Sequence, residues 1–277
     1  MVQKIQNLKN KNLSLFKNKI LNIAIEKSDN WLEEKEKLGK YVLELLYDCG
    51  AIKTWYRNKK EGWTLNSKLW SPVYISLRDI SSKKNGAELL ELIGKSLSKL
   101  IINEIPKYDK ILGLATTGIQ IATVITIFSK IPSLYTRKIE AAKDIKNFEK
   151  FIKKYGEHKL IEGEFDNDDI IIIVDDLVTK FDTVVRNKKN LHYIAQKKNK
   201  KVICNDVVVL IDREQGADLM AKKEQMILHS LIPFKSKLHL LKDKLAEEEY
   251  QIIKEYFEDD SKFQEIEKIN EVISLAK

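Results

Sequence analysis

The sequence is poor in the residue types that hold structural metals. It contains two cysteines, Cys49 and Cys204, which lie far apart, and four histidines. Neither type forms the closely spaced pairs that zinc sites and redox motifs need. We therefore expect no structural metal, and we interpret both cysteines as buried thiols.

Long apolar runs are also missing. No stretch is apolar and long enough to span a bilayer, and no cleavable leader is recognisable at the start. Hydrophobic residues make up 43% of the 277 residues and charged residues 32%, which is typical of a globular protein. These observations predict a cytoplasmic protein without a membrane partner, built as one domain with extensions.

The net charge of +8 favours anionic partners such as nucleic acid, a membrane surface or a phosphorylated small molecule. Much of this excess comes from lysines interleaved with Glu and Asn, a pattern typical of solvated helix faces. Nucleic-acid binding through the basic stretch KNKNLSLFKNK is one hypothesis. No base-reading motif accompanies that stretch, so we do not expect a nucleic-acid partner.

Apolar spacing predicts the elements of the first hundred residues. Helical spacing marks an amphipathic helix in the first thirty residues and a second helix through WLEEKEKLGKYVLELLYDCG, with Gly50 as its C-terminal cap. Residues 51 to about 80 alternate between apolar and polar side chains, which predicts a hairpin-like β element. Residues 86–104 return to a helical pattern.

Short apolar strands alternate with helical segments between residues 109 and 233. This alternation predicts a parallel sheet with helices on both faces, and the stretch DIIIIVDD, apolar on both faces, belongs at its centre. Right-handed crossovers place the carboxyl ends of such strands at one edge, where ligands bind. The tail from 238 to 277 is predicted to be helical, with a break near Asp259, Asp260 and Ser261.

The stretch IIIIVDDLVTKFDTVV carries the strongest chemical signal, because a buried strand ends in Asp175 and Asp176. Two adjacent carboxylates at the mouth of a parallel sheet are costly unless they hold a metal or hydroxyl groups. An alternative interpretation is a loop Asp that caps the next helix.

An apolar strand followed by two acids, two apolar residues and a Thr resembles the phosphoribosyl pyrophosphate (PRPP) motif of type I phosphoribosyltransferases. Four further segments resemble one branch of that family, the orotate phosphoribosyltransferases, and occur in the same order. They are GWTLNSKLWSPVYISLRDI, ILGLATTGIQIATVI, LYTRK followed by KKYGEHKLIEGEF, and VVVLIDREQGADLM. Together with the PRPP motif they cover roughly residues 38 to 243.

The resemblance implies the type I phosphoribosyltransferase fold, an α/β architecture with a central parallel sheet flanked by helices and a small β-containing hood. It divides the chain into a helical N-terminal extension (1–36), an orotate phosphoribosyltransferase-like domain (37–243, hood about 50–80) and a helical C-terminal extension (244–277). It also implies transfer of phosphoribose from PRPP to orotate with Mg²⁺, giving orotidine 5′-monophosphate and pyrophosphate in pyrimidine biosynthesis. A homodimer that shares its catalytic loop across subunits is the partner it implies.

The resemblance assigns roles position by position. The catalytic residues it implies are Asp175, Asp176, Arg137, Lys138 and Lys153, with Mg²⁺ held through PRPP near the two acids. The PRPP-binding residues it implies are Asn66, Thr116, Thr117, Tyr155, Thr179, Lys180, Phe181, Asp182 and Thr183. The orotate-binding residues it implies are Tyr74, Ile75, Thr179 and Arg213. A bidentate guanidinium suits the orotate carboxylate, whereas the alternative for Arg213 is a surface ion pair with Glu214 or Asp212.

The phosphate side departs from the family pattern. Phe181 stands where the family loop has a glycine, and Asp182 stands where a hydroxyl would donate to phosphate. The catalytic loop carries an insertion, IEAAKDIKNFEKFIKK, in which Lys143 competes with Lys153 for the role of catalytic-loop lysine. These departures favour, as an alternative function, a catalytically weakened relative that binds a pyrimidine or a nucleotide as a regulator.

Overall fold

A computed structural model describes residues 23–65, 68–138 and 160–276. Its first part contains α1 (Trp31–Asp48), β1 (Ile52–Thr54), β2 (Trp63–Thr64), β3 (Trp70–Ser71), β4 (Val73–Ile75), α2 (Gly86–Glu104), β5 (Lys110–Gly113), α3 (Thr117–Ser129) and β6 (Ser133–Thr136). The amphipathic helix predicted at the start of the chain falls almost entirely on residues 1–22 and so lies outside the described residues.

The second part begins after residue 159. It contains β7 (Ile161–Glu162), β8 (Asp169–Val178), α4 (Asp182–Lys197), β9 (Val202–Ile203), β10 (Asp206–Asp212), α5 (Ala217–Lys223), β11 (Ile227–Pro233), α6 (Phe234–Lys237), α7 (Glu247–Glu258) and α8 (Ile266–Ser274). The predicted break in the C-terminal tail is confirmed, because α7 and α8 are separated by a short 3-10 helix, Asp260–Gln264.

The first helix ends where the sequence predicts. Gly50 has a left-handed backbone (φ +74°), and its N–H donates to the carbonyl of Tyr47 at 3.0 Å. The N–H of Ala51 donates to the carbonyl of Leu46 at 2.9 Å. These two bonds form a Schellman motif, which satisfies carbonyls that the helix itself leaves free.

Among the described residues, the central sheet has seven strands, in the order β11-β10-β8-β5-β6-β7 with β9 beside β8. All pairs are parallel except β6 with β7. Strand β8 lies at the centre, as predicted, and its successive residues point to opposite faces. Ile172 and Val174 enter the larger hydrophobic core, while Ile171 and Ile173 enter a second core on the other face. The predicted parallel sheet covered on both faces is therefore confirmed.

The hood predicted from residues 51 to 80 consists of two small antiparallel ribbons, β1 with β4 and β2 with β3. The buried side chains of Trp55, Trp70 and Val73 join the larger core. The hood is thus packed on the body of the protein rather than hinged away from it.

A partly buried polar cluster lies at the amino end of the sheet. The Nδ1 and Nε2 atoms of His229 are each 2.9 Å from a carboxylate oxygen, of Glu104 and of Asp206 respectively. Trp31 and Lys35 also donate to Glu104, at 2.9 and 2.7 Å. Although burial opposes ionisation, these bonds lower the pKa of Glu104 to about 2. Burial likewise opposes protonation of His229, but its two carboxylate partners raise its pKa.

The proposed domain boundaries fall within packed structure. Residue 36 lies inside α1, and residue 243 lies inside a 3-10 turn, Leu238–Lys244. The division into a domain and two extensions remains a prediction. None of the helices in the described ranges is both long and apolar enough to cross a membrane.

Candidate active site

The two acids lie on the central strand, at the carboxyl edge of the sheet. Val174 pairs with Gly113 of β5, and Asp175 pairs with Val209 of β10, so neighbouring strands flank the acids on both sides. The strand continues through the acids to Val178, and α4 has its N-cap at Phe181. The alternative interpretation, in which an Asp of this pair caps the next helix, is therefore wrong.

Burial dominates the electrostatics of the pair. Desolvation raises the pKa of both carboxyls, and for Asp175 the adjacent charge of Asp176 raises it further. The N–H of Asp176 donates to Oδ1 of Asp175 at 2.9 Å, and the Thr117 side chain forms a hydrogen bond to Asp176 that partly offsets the desolvation. Such a pair is unfavourable as a dianion unless hydroxyl donors or a cation reach it.

The start of α3 packs directly against these acids. Thr116 precedes the helix and is exposed, while Thr117, its first residue, is buried. A Cβ at Gly118 would lie 2.7 Å from the carbonyl oxygen of Val174 and 3.0 Å from Oδ1 of Asp175. Glycine is therefore required for this close approach, which brings the positive end of the helix dipole beside the carboxylates.

Two cations follow β6 at the same edge. Arg137 and Lys138 are both exposed, and Nε of Arg137 lies 3.5 Å from a carboxylate oxygen of Glu162. The Thr136 hydroxyl accepts a hydrogen bond from the N–H of Ala115 at 2.8 Å. This bond ties the end of β6 to the loop before α3, so the cations and the two threonines share one edge of the sheet.

In the loop after the acids, Phe181 is buried and Asp182 is exposed. Phe181 has a left-handed backbone (φ +73°), a conformation that favours glycine, yet its side chain is buried in the second core. Lys180, Asp182 and Thr183 are exposed, and Asp182 is the first residue of α4. Thr179 is half-buried. The phenyl ring therefore turns into the protein, and the charge of Asp182 stays at the surface of the helix N-terminus.

Arg213 follows β10 and is buried, with 3% of its surface exposed. The backbone N–H of Arg213 donates to the carbonyl of Val178 at 3.1 Å, which places this residue beside the end of the central strand. Burial lowers the pKa of its guanidinium, partly offset by a hydrogen bond to the Tyr256 hydroxyl. Within the described part of the chain, its Nε and Nη2 atoms are buried without a hydrogen-bond partner.

The alternative for Arg213, a surface ion pair, is wrong. Asp212 accepts a hydrogen bond from the N–H of Glu214, and the carboxylate of Glu214 binds Ser236. Neither acid pairs with the guanidinium, which packs instead 5.4 Å from the ring of Phe257.

On the hood, Tyr74 and Ile75 lie in β4 and are partly exposed. The Tyr74 ring stacks on Trp63, with centroids 5.7 Å apart. The remaining predicted site residues, Asn66, Lys143, Lys153 and Tyr155, lie outside the described residues. No group of three or more metal-ligating side chains occurs within the ranges that the structure describes.

Sequence reasoning missed the C-terminal residues that contact the arginine. Phe257 packs on Arg213 next to Tyr256, which raises the pKa of the guanidinium, and Asp260 accepts a hydrogen bond from Gln215 at 3.0 Å. These residues are more than forty positions away along the chain, and no local pattern signals such a contact. The break near Asp260 marks a turn but not its neighbour in space.

Comparison with known proteins agrees with this geometry. No protein-family model matches the chain. It is 30% identical over 226 residues to uridine 5′-monophosphate synthase of Bos taurus, covering 81% of this chain and 41% of the relative. It is 29% identical over 191 residues to orotate phosphoribosyltransferase of Pyrococcus abyssi, covering 69% of this chain and 90% of the relative. The chain thus spans less than half of the bovine synthase.

Solved structures show the same fold. Leishmania donovani UMP synthase superposes with a TM-score of 0.63 at 22% identity, over 79% of this chain and 42% of that one. Orotate phosphoribosyltransferase from Aeropyrum pernix superposes with a TM-score of 0.53 at 19% identity, over 73% of this chain and 97% of that one. The fold is that of the type I phosphoribosyltransferases. In sequence, the chain is similar to orotate phosphoribosyltransferases and to the UMP synthases, at the identities given above.

Proposed function

We propose that this chain transfers phosphoribose from PRPP to orotate, giving orotidine 5′-monophosphate and pyrophosphate. The C1–O bond to pyrophosphate breaks, and its electron pair leaves with the pyrophosphate. N1 of orotate forms the new bond to C1, and its proton goes to solvent. Positive charge therefore grows on the sugar while negative charge grows on the leaving group, so groups that stabilise those charges lower the barrier.

One observation carries the proposal: the carboxyl edge of the sheet brings complementary groups together. The half-buried acids Asp175 and Asp176 suit the ribose hydroxyls, because hydroxyl donors relieve the cost of the paired, poorly solvated charges. Arg137 and Lys138, exposed after β6, suit the pyrophosphate. Arg213 offers two N–H-bearing nitrogens, unpaired within the described ranges, to a carboxylate.

The same residues fit a magnesium ion. Mg²⁺ prefers oxygen ligands and usually takes one or two carboxylates together with oxygens from a phosphorylated substrate. Asp175 and Asp176 supply that donor type, and burial without a counter-charge raises the pKa of both. We propose that these acids lie beside a Mg²⁺ held mainly by PRPP, where the bound ion would neutralise charge on the leaving pyrophosphate.

We also propose a homodimer in which the catalytic loop reaches the partner's site.

The test is orotate consumption, followed by the loss of orotate absorbance with PRPP and Mg²⁺. Asp176→Asn and Arg213→Ala should each lower kcat/KM by at least about a hundredfold, the scale seen when a group that stabilises transition-state charge is removed. Asp168→Asn is the matched control. It changes the same residue type just before β8, at the opposite edge of the sheet, where the left-handed backbone (φ +65°) tolerates Asn.

The loop gives a second candidate function some support. With Phe181 turned inward and a carboxylate at Asp182, the phosphate side differs from the glycine-and-hydroxyl pattern described above. A protein that binds a pyrimidine as a regulator, without transfer, would retain the Arg213 side alone. Calorimetry separates the two functions, because an enzyme should bind PRPP with Mg²⁺ at micromolar to millimolar concentration, whereas the regulator should bind orotate but not PRPP.

A further inference from the structure

The C-terminal segment, defined here as residues 247–276, is fastened to the hood. The indole N–H of Trp55 donates to the carbonyl of Val272 at 2.8 Å. The Gln264 side chain accepts from the N–H of Trp70 at 2.8 Å and donates to its carbonyl at 3.2 Å. The ring of Phe263 stacks in parallel on Trp70, with centroids 6.4 Å apart. The segment thus reaches two of the hood's four strands, β3 and the flank of β1.

An ion pair between the buried Glu249 and the exposed Arg57 strengthens this attachment. Glu249 is fully buried, lies 2.8 Å from Nε of Arg57, and accepts a hydrogen bond from the hydroxyl of Thr54. Removal of Arg57 would be destabilising, because the carboxylate of Glu249 would stay buried without its cation. The segment is therefore part of the folded core and not a loose appendage.

The same segment contacts the loop that carries Arg213. The ring of Phe257 lies 5.4 Å from the Arg213 guanidinium, and the neighbouring Tyr256 side chain raises the pKa of that group against the effect of burial. The side chain of Gln215 donates to Oδ2 of Asp260 at 3.0 Å. The arginine loop, residues 213–216, thus has two polar side chains, Arg213 and Gln215, that contact the C-terminal segment.

These contacts leave part of each side chain unused. Nε and Nη2 of Arg213 and Oε1 of Gln215 are buried, and none of them has a partner among the residues that the structure describes. A buried donor or acceptor that stays unpaired costs about 1–3 kcal/mol. Together they offer two N–H-bearing nitrogens and one carbonyl oxygen, which complement a carboxylate next to an N–H group.

We propose that Tyr256 and Asp260 are positioning residues for the pyrimidine. Tyr256 orients the guanidinium of Arg213 toward the carboxylate of the base, and Asp260 orients Gln215 so that its carbonyl oxygen faces an N–H of the base. The C-terminal segment then sets the affinity for the carboxylated base, while PRPP is held by other elements. This inference rests on the proposed function, because it uses Arg213 as the receptor for the orotate carboxylate.

The test compares Michaelis constants for the two substrates. Tyr256→Phe removes only the hydroxyl, and Asp260→Ala removes only the partner of Gln215. Each should raise KM for orotate on the order of tenfold, the effect of losing one hydrogen bond that involves a charged group, while KM for PRPP and kcat stay unchanged. Tyr47→Phe is the matched control, because its hydroxyl donates to the carbonyl of Lys244 just before the segment, at 3.2 Å, without touching the arginine loop.

An unchanged orotate KM in both variants would overturn the inference, and so would equal rises in both Michaelis constants, which indicate a merely structural role. Calorimetric titration of the intact protein with orotate and with uracil separates this inference from the proposed function. If the wild type binds orotate without turning it over, and Tyr256→Phe weakens that binding but not the binding of uracil, the inference stands and the transferase proposal fails. If the wild type neither binds nor consumes orotate, both fail.

Discussion

Replacing Asp182 with Asn should improve PRPP binding while slightly weakening the fold. Asp182 is exposed and is the first residue of α4, directly after the loop that follows the two acids. Its carboxylate stabilises the helix, because negative charge is favourable at a helix N-terminus. A phosphate group bound at the same N-terminus would be repelled by that charge. Asp182→Asn keeps the size of the side chain and removes only the charge.

The two effects have opposite signs and similar sizes. A unit charge about 4 Å from another costs about 1 kcal/mol in a water-like medium, and more where solvent is excluded. KM for PRPP should therefore fall by a factor of about five or more, since each 1.4 kcal/mol corresponds to tenfold. The lost interaction with the helix dipole should lower the free energy of unfolding by roughly 0.3–1 kcal/mol.

The assay is a PRPP titration at saturating orotate, repeated at rising salt, with thermal unfolding measured on the same samples. Screening should shrink the gain, because the Debye length falls from about 10 Å at 0.1 M to about 3 Å at 1 M salt. Glu248→Gln is the control, since Glu248 is exposed in the first turn of α7 and shares only the dipole effect. A lower melting temperature with no change in KM at low salt would refute the placement of the phosphate at this helix.

Two further predictions concern stability. Phe181→Ala should lower the free energy of unfolding by about 3–5 kcal/mol, because the burial of the ring is lost. Phe181→Gly should be less damaging by about 1 kcal/mol, because glycine relieves the left-handed backbone. Urea denaturation in which Ala is the milder change would contradict this expectation. The difference in stability between wild type and His229→Gln should be largest between about pH 4.5 and 6.5. This difference should shrink as the pH rises through the raised pKa of His229, because a raised pKa stabilises the fold only while the proton is bound. The contribution of Glu104 should be lost as the pH falls toward about 2. Urea titrations across this range that give a constant difference in stability would contradict the explanation.

The architecture could be predicted because its signals are local. The run of isoleucines before Asp175 is apolar on both faces, and only the centre of a parallel sheet covered by helices buries both faces of a strand. Gly50 ends α1 because only a left-handed residue closes the helix there, so a single glycine in the sequence marks the boundary. Strand order and crossover handedness then bring the acids and Arg137 to one edge.

Long-range contacts could not be predicted in this way. Nothing in the sequence around Tyr256 indicates that its hydroxyl meets Arg213, because the contact joins a helix of the tail to a loop of the sheet. The burial of Arg213 is hidden for the same reason. A charged residue in a loop is ordinarily solvated, and only the packing of Phe257 and Tyr256 against it encloses the guanidinium.

The structure changes what the missing loop glycine means. A glycine matters in a phosphate loop because it permits a left-handed backbone and a close approach. Phe181 already has that backbone, and its ring is buried in the second core, so burial offsets the strain of about 1–2 kcal/mol that a left-handed residue carries. The path of the main chain is therefore kept although the side chain has changed. If the proposed function holds, what opposes a phosphate at this loop is the charge of Asp182, and a single exposed charge would weaken phosphate binding without abolishing it.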